Sequence, residues 1–275
     1  MVRTLTLLFL ATLFAPCAFA DIADVVNSVR ADGCGRYRGQ ATPLRKQRNL
    51  SAAARRLARG DSLDRALINA GYRAKHSASL NISGNTRDEA IASTLRLQFC
   101  PQVMESTFRD IGIYEGGGEV WMIVAQPLAT PANKDAAKIS ERVLELTNAA
   151  RARGGRCGST IYAPAKPLVM NDLLEKASAD YSRELARRST LDHEGSDGSS
   201  PADRAGRAGY KWRVVGENLA SGPVTADEVM KGWLASPHHC ANILDSRFTE
   251  MGVAYSVDKK SASVIYWAQM FGLPR

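Results

Sequence analysis

Apolar positions recur at helical spacing in several stretches of the chain. Ile139, Val143, Leu146 and Ala150 lie three or four residues apart, which predicts a helix over residues 140–153. Three further helices are predicted from polar starts that carry a capping residue or are followed by a proline. These starts are Asp172, Thr225 and Ser236.

Apolar-rich runs of strand length lie at corresponding places in the two halves of the chain. Residues 250–257 and 262–270 predict two strands joined by a polar turn. Residues 109–114 and 119–125 predict a similar pair around a glycine turn. Helices packed around short, mostly antiparallel sheets give an α+β fold class.

The two halves of the chain also share sequence landmarks in the same order. Residues 27–34 resemble residues 148–157, and each segment contains Asn-x-x-Arg before a cysteine. This conserved order within one chain predicts a tandem duplication, with a degenerate first repeat over 21–126, a linker over 127–137 and an intact repeat over 138–275. The later landmarks are Gly71-Tyr72 with Gly209-Tyr210, Phe108-x-x-x-Gly112 with Phe248-x-x-x-Gly252, and Ala125-Gln126 with Ala268-Gln269.

The first 20 residues have the pattern of an export signal. Arg3 precedes an apolar run over residues 5–14, and Ala18-Phe19-Ala20 is a small-x-small cleavage pattern. The run is too short to span a bilayer, and no later window is long enough to do so. The sequence therefore predicts cleavage after Ala20, a periplasmic or secreted protein and no transmembrane segment.

Four cysteines remain after removal of the signal, which carries Cys17. In an oxidising compartment they are expected to pair, although four free buried thiols are the alternative. Each repeat holds one early and one late cysteine, which favours the bonds Cys34–Cys100 and Cys157–Cys240.

Polar residues distinguish the second repeat from the first. His193, Glu217 and His239 have no counterparts in the first repeat, where the segment around His193 is shortened. Loss of a polar set from one copy, while the apolar scaffold persists, suggests a site within residues 134–275.

The second repeat contains four distinctive motifs: Asp192-His193 before a Ser/Gly loop, Gly216-Glu217-Asn218, Ser236-Pro-x-His239 and Tyr266-Trp-Ala-Gln269. Together they resemble the CAP superfamily, the SCP domain of cysteine-rich secretory, antigen 5 and pathogenesis-related proteins. The resemblance implies an α-β-α sandwich, export and a cleft that holds two histidines and two acidic residues in eukaryotic members. His193 and Glu217 match two of these positions, whereas Ser236 stands at the second acid and Tyr266 at the second histidine.

Three kinds of chemistry are compatible with these residues. His193, Glu217 and His239 could hold Zn²⁺ with an open position for water. Ser236 could act as a nucleophile, with either histidine as base and Glu217 as orienter, in a peptidase-like hydrolase. The sequence favours the third kind, recognition of a peptide, glycan or lipid headgroup of the cell envelope, and leaves enzymatic activity undecided. The predicted ligand-binding residues are His193, Glu217, Ser236, His239, Tyr266 and Gln269.

Composition and charge narrow the partners. A chain that is 45% hydrophobic is not of the disordered class, and its net charge of +8 suggests an anionic partner. Eight basic residues and no acidic residue lie within residues 33–60. Such a segment is by default a solvated face, and the more specific alternative is a docking surface for an anionic envelope polymer or for lipid headgroups. Nucleic acid is not expected, because the chain has an export signal and no nucleic-acid-binding module.

Overall fold

The structure, a computed structural model, describes residues 21–39 and 42–275. The predicted signal peptide, residues 1–20, lies outside the described residues. The chain divides between Leu128 and Ala129 into two units, which we call the N-terminal and the C-terminal unit. Within the described part of the chain, no helix combines the length and apolar character needed to cross a bilayer.

The N-terminal unit contains five helices and six strands within its described residues. Its elements are α1 (Ile22–Asp32), β1 (Gly33–Cys34), β2 (Tyr37–Arg38), β3 (Arg45–Lys46), α2 (Arg48–Leu57), α3 (Leu63–Asn69), β4 (Ala74–Ser83), α4 (Asp88–Gln98), α5 (Cys100–Val103), β5 (Asp110–Gly116) and β6 (Glu119–Pro127).

The C-terminal unit begins with a 3₁₀ turn, Asn133–Asp135, and continues with five α-helices and six strands. Its elements are α6 (Ala136–Arg153), β7 (Gly155–Cys157), β8 (Thr160–Tyr162), β9 (Val169–Met170), α7 (Asp172–Arg188), α8 (Pro201–Arg207), β10 (Trp212–Ser221), α9 (Ala226–Ala235), α10 (Pro237–Leu244), β11 (Glu250–Val257) and β12 (Ile265–Pro274).

Each unit has a four-stranded sheet of the same strand order. The order is β3-β5-β6-β4 in the first unit and β9-β11-β12-β10 in the second. In both sheets the short first strand pairs in parallel and the other neighbours pair antiparallel. The predicted α+β class is confirmed.

The central strand β12 is covered on both faces, which makes the C-terminal unit an α-β-α sandwich. Side chains of a strand point alternately to opposite faces. Ile265, Trp267 and Phe271 pack into the cluster that contains residues of α6, α9 and α10. Their neighbours Tyr266 and Ala268 pack against residues of α7 on the other face.

Polar side chains cap the first turns of two helices in the C-terminal unit. The Asn171 side chain accepts hydrogen bonds from the N–H groups of Leu173 and Leu174, so α7 begins at Asp172 as predicted. The Thr225 hydroxyl likewise accepts from the Glu228 N–H at the start of α9. These caps fix the ends of two helices that pack against the sheet.

The Asn-x-x-Arg segments make equivalent contacts in the two units. The Asn148 side chain bonds both the N–H and the carbonyl of Leu168 at 2.7 and 2.9 Å, and Asn27 does the same with Leu44 at 2.8 and 3.1 Å. The fully buried Arg151 guanidinium then donates to backbone carbonyls of the loops that surround it. The accepting carbonyl oxygens belong to Lys166, Ile243, Asp245 and Phe248, all at 2.8–3.0 Å.

Both predicted disulfides are present. The bond Cys34–Cys100 connects the end of β1 to the start of α5. The bond Cys157–Cys240 connects β7 to α10. The second bond thus anchors α10 at the residue that follows His239.

Four predicted elements have different bounds. The strands predicted over 109–114 and 119–125 are Asp110–Gly116 and Glu119–Pro127. The helix predicted over 140–153 begins at Ala136, because the 3₁₀ turn leads directly into it. The strand predicted over 262–270 is Ile265–Pro274, because the turn after β11 extends to Val264. Val264 has a φ of +66°, and its carbonyl accepts from the Asp258 N–H at 2.8 Å, so strand pairing resumes only after it.

The proposed match of Ala125-Gln126 with Ala268-Gln269 is wrong by sheet register. Gly112 pairs with Ile123, whereas the equivalent Gly252 pairs with Met270. With the two glycines superposed in register, Gln269 corresponds to Met122. The repeated Ala-Gln letters therefore do not occupy equivalent positions.

Candidate functional site

The candidate site of the C-terminal unit is built on the carboxylate of Glu217, in the middle of β10. The Glu217 side chain is only 1% exposed, and both of its oxygens are engaged. Oε1 lies 2.7 Å from Nδ1 of His193, and Oε2 accepts from Arg204 at 2.7 Å. A buried carboxylate thus connects a surface histidine to a buried arginine.

Arg204 on α8 holds this arrangement together and was not predicted. Besides Glu217, its guanidinium donates to the carbonyls of Ser199 and His193, at 2.7 and 3.0 Å. It also lies 3.4 Å from the ring centroid of Tyr181, a cation–π contact. Arg204 therefore holds both the backbone of His193 and the Glu217 carboxylate that contacts the His193 ring.

A sequence signal for Arg204 was present. Ser200 and Asp203 form a reciprocal capping box, with Pro201 in the first turn, so α8 begins within the segment interpreted as a Ser/Gly loop. That box places Arg204 in the first turns of a helix directly after the loop of His193. Because the whole segment was interpreted as a loop, Arg204 was not predicted as a site residue.

Tyr181 supports the histidine loop from α7. Burial raises the pKa of Tyr181 to about 12, so its hydroxyl remains protonated and donates to the carbonyl of Asp192. The residue before His193 is thereby tied to the helix that covers the sheet. His193 itself remains accessible, with 57% of its side chain exposed.

His239 reaches the same region through α10. The Asn218 amide, next to Glu217 in β10, donates to the His239 carbonyl at 3.2 Å. Asn242, one turn further along α10, donates to the Glu217 carbonyl and to the Asn218 side chain, both at 3.0 Å. These bonds hold the half-buried His239 against the strand that carries Glu217.

The two histidines have pKa shifts of opposite direction. The hydrogen bond to Glu217 raises the pKa of His193 above its ordinary value, which favours the imidazolium. Burial lowers the pKa of His239, and the charge of His193 lowers it further. Protonation of the pair therefore begins at His193 and leaves His239 neutral over the pH range between the two values.

Ser236 lies between α9 and α10 and is half-buried. Its backbone ends one helix and starts the next, as predicted, but its hydroxyl makes no capping hydrogen bond. Among the hydrogen bonds of residues 21–39 and 42–275, none joins the Ser236 hydroxyl to an imidazole, so a serine–histidine dyad is not formed.

Tyr266 and Gln269, predicted to contact ligand, are instead buried beneath the site. Tyr266 is 1% exposed, and its hydroxyl accepts from the Ser263 N–H. Gln269 is fully buried, donating to the hydroxyl of Thr147 and accepting from Asn218. Both lie on β12, whose two faces are covered, so neither side chain is accessible from the surface.

Most of the C-terminal unit is similar in sequence to a known protein family. The model of the CAP family, described as the cysteine-rich secretory protein family, matches residues 144–271. The C-terminal unit is a CAP domain. The uncharacterized protein YkwD of Bacillus subtilis (strain 168) is 33% identical over 142 residues, which cover 52% of this chain and 50% of that protein. The chain thus spans about half the length of this curated relative.

Solved structures include two that differ in how much of the chain they cover. An extracellular SCP-domain protein from Bacillus anthracis str. Ames has 19% identity and a TM-score of 0.44, covering 56% of this chain and 52% of that one. Na-ASP-1 has 12% identity and a TM-score of 0.49, covering 95% of this chain and 92% of that one.

The site of this CAP domain does not fit a three-ligand zinc centre. Both oxygens of Glu217 are already taken, one by His193 and the other by Arg204, whose positive charge opposes a second cation at the carboxylate. Across the described ranges, no group of three His, Cys, Asp or Glu side chains is placed to hold a metal ion. The predicted set His193, Glu217 and His239 is therefore not assembled as ligands.

The raised pKa of His193 predicts a pH-dependent contribution to the stability of the CAP domain. Because the folded pKa exceeds the unfolded value of about 6.5, the contribution is full below that value and disappears as pH rises through the folded pKa. The stability advantage of wild type over His193→Gln should therefore be larger at about pH 5.5 than at about pH 8.5 in urea unfolding. A difference that is the same at both pH values would contradict this contribution.

Proposed function

We propose that the CAP domain recognises a ligand of the cell envelope through the surface around His193, without catalysing a reaction. The ligand is a peptide, a glycan or a lipid headgroup. The observation that carries the proposal is the exposed His193 ring, whose Nδ1 is held by a buried Glu217–Arg204 pair. Such a fixed ring presents its other nitrogen, Nε2, in one orientation to a polar group.

A polar ligand is favoured by the charge balance of the site. Arg204 and Glu217 offset each other within the protein, so a protonated His193 adds a positive charge at the surface. The neutral imidazole of His239 and the hydroxyl of Ser236 add groups that can both donate and accept. The surface therefore suits hydrogen-bond acceptors and anionic groups.

The alternative is a peptidase-like hydrolase. The pairing of His193 with Glu217 favours it, because an imidazole oriented by a carboxylate is the arrangement of a general base. A water activated at Nε2 would then replace the serine nucleophile, since Ser236 is not bonded to either ring.

Binding to isolated cell-envelope fractions distinguishes these functions. His193→Ala is expected to weaken binding about tenfold, because the anchored ring is removed while Glu217 and Arg204 remain paired. Sedimentation with the fractions measures the bound protein, and release of soluble fragments measures hydrolysis. His76→Ala, which removes an exposed histidine of the N-terminal unit, is the matched control and should bind as wild type does.

Either of two results would reject the recognition function. Fragment release that is lost in His193→Ala would establish the hydrolase. Equal binding by wild type, His193→Ala and Ser236→Ala would remove the site from the interaction.

We further propose that the chain is exported and arose by duplication. The predicted signal over residues 1–20 and the two disulfides support export. The common strand order and the paired Asn27/Asn148 contacts support duplication, with the boundaries predicted above.

A further inference from the structure

A basic groove lies on the N-terminal unit, far in sequence from the His193 site. Arg48, Arg55 and Arg59 are spaced seven and four residues apart, which puts them on one side of α2 and its extension. The opposite side of α2 is buried through Leu50 and Ala53. The exposed side borders a groove of about 460 Å³ whose further wall is formed by β5.

The charges of this arginine groove, formed by Arg48, Arg55 and Arg59 with Ala52, Ile113 and Tyr114, are only partly neutralised. Arg56, the other arginine at the groove, pairs with Asp61 at 3.2 Å. Among the ion pairs of residues 21–39 and 42–275, none engages the first three arginines. Three exposed guanidinium groups thus face solvent around one concavity.

Two other basic residues of segment 33–60 are engaged in ion pairs. Arg45 pairs with the buried Asp110 at 3.0 Å, and Lys46 pairs with Asp21 at 2.6 Å. The eight positive charges seen in the sequence therefore do not act equally. Within the described residues, five of the eight have no ion pair; three of these five border the arginine groove, and the other two, Arg36 and Arg38, lie outside it.

The walls of the groove are not purely ionic. The Arg55 guanidinium lies 5.3 Å from the ring centroid of Tyr114, which orients it at the groove wall. Ala52 and the ring of Tyr114 add apolar surface beside it. An occupant that combines negative charge with apolar C–H faces, as a sugar acid does, uses both kinds of wall.

We propose that the arginine groove binds an anionic polysaccharide. The backbone positions of Arg48 and Arg55 are about 10 Å apart along the helix axis at 1.5 Å per residue, so the arginines are distributed along the groove and not gathered at one point. A chain with repeated carboxylate or sulfate groups can engage them together, and guanidinium groups bind such oxygens in a bidentate manner. A concave site also suits a polymer segment better than a flat membrane surface. This interaction is independent of the ligand proposed for the CAP domain.

The test uses the full chain and heparin as the anionic polysaccharide, with neutral dextran beside it. The triple variant Arg48→Gln, Arg55→Gln, Arg59→Gln is expected to bind heparin at least about tenfold more weakly, because charge-assisted contacts are lost. The matched control removes three exposed arginines of the same unit away from the groove, Arg36→Gln, Arg38→Gln and Arg87→Gln. It should weaken binding less than about threefold. Wild-type binding should decrease with added salt, whereas dextran should not bind.

The outcomes separate the groove from charge in general. A large loss in the groove variant alone supports the proposal, provided that both variants unfold at the wild-type temperature. Equal losses in the two triple variants would overturn it, since net charge would then suffice. Absence of wild-type binding to heparin, or groove-dependent binding to phosphatidylglycerol vesicles without binding to heparin, would also overturn it, the latter in favour of a membrane surface.

Discussion

Replacement of Arg204 by methionine is expected to destabilise the CAP domain by about 3–5 kcal/mol. The change leaves the Glu217 carboxylate, which is 1% exposed, without the cation that offsets its burial. It also removes the bonds to the Ser199 and His193 carbonyls and the stacking on Tyr181. Urea unfolding followed by tryptophan fluorescence measures the loss, since three of the four tryptophans lie in the C-terminal unit.

The same helix supplies the control. Arg207, three residues further along α8, pairs with Asp197, and both side chains are at least half exposed. Exposed pairs contribute about 0–1 kcal/mol, so Arg207→Met should be nearly neutral. Adding Glu217→Gln to Arg204→Met should recover part of the loss, because the buried charge is removed. If Arg204→Met and Arg207→Met are equally stable, Arg204 does not compensate Glu217.

The outline of the fold could be predicted from the sequence because its signals are local. Helical spacing and caps marked α7 and α9, and the apolar runs marked β11 and β12. The order of the cysteines in the repeats was enough to pair them correctly. The helix and strand inferences depend on residues close together in the chain, where periodicity is informative, whereas the cysteine pairing depends on the order of the two repeats.

The site was only partly predictable because it depends on which faces of the sheet are covered. Motif letters identified His193 and Glu217, which are in contact. Motif letters also selected Tyr266 and Gln269, but β12 is an unbroken buried strand, and such a run carries no alternation to distinguish core from surface. Arg204 was not predicted because the polar residues around it in the sequence are typical of a loop. In the structure its side chain is buried and pairs with Glu217, a contact that the local sequence does not indicate.

In both Phe-x-x-x-Gly segments, the glycine is required by close packing between a helix and the sheet. A Cβ built on Gly252 would lie 2.0 Å from the Glu175 nitrogen and 2.2 Å from the Leu174 carbonyl carbon, both backbone atoms of α7. In the other unit, a Cβ on Gly112 would lie 2.1 Å from the carbonyl carbon of Leu50 in α2. In each unit, the glycine lets a helix touch the backbone of the sheet.

Gly252→Ala is therefore expected to destabilise the CAP domain by about 3 kcal/mol or more, at or beyond the upper end of ordinary overpacking. The cause is space and not backbone conformation, because Gly252 lacks a positive φ and backbone atoms cannot rotate away as a side chain can.

Gly232→Ala is the matched control. Gly232 lies inside α9 with no atom within 4 Å of its added Cβ, so alanine should stabilise by about 0.5–1 kcal/mol. Thermal unfolding should move in opposite directions for the two variants, and a neutral Gly252→Ala would mean that α7 can move away from the sheet at little cost. Since Glu217 and Tyr181 lie on that sheet and that helix, such freedom would also loosen the support of His193.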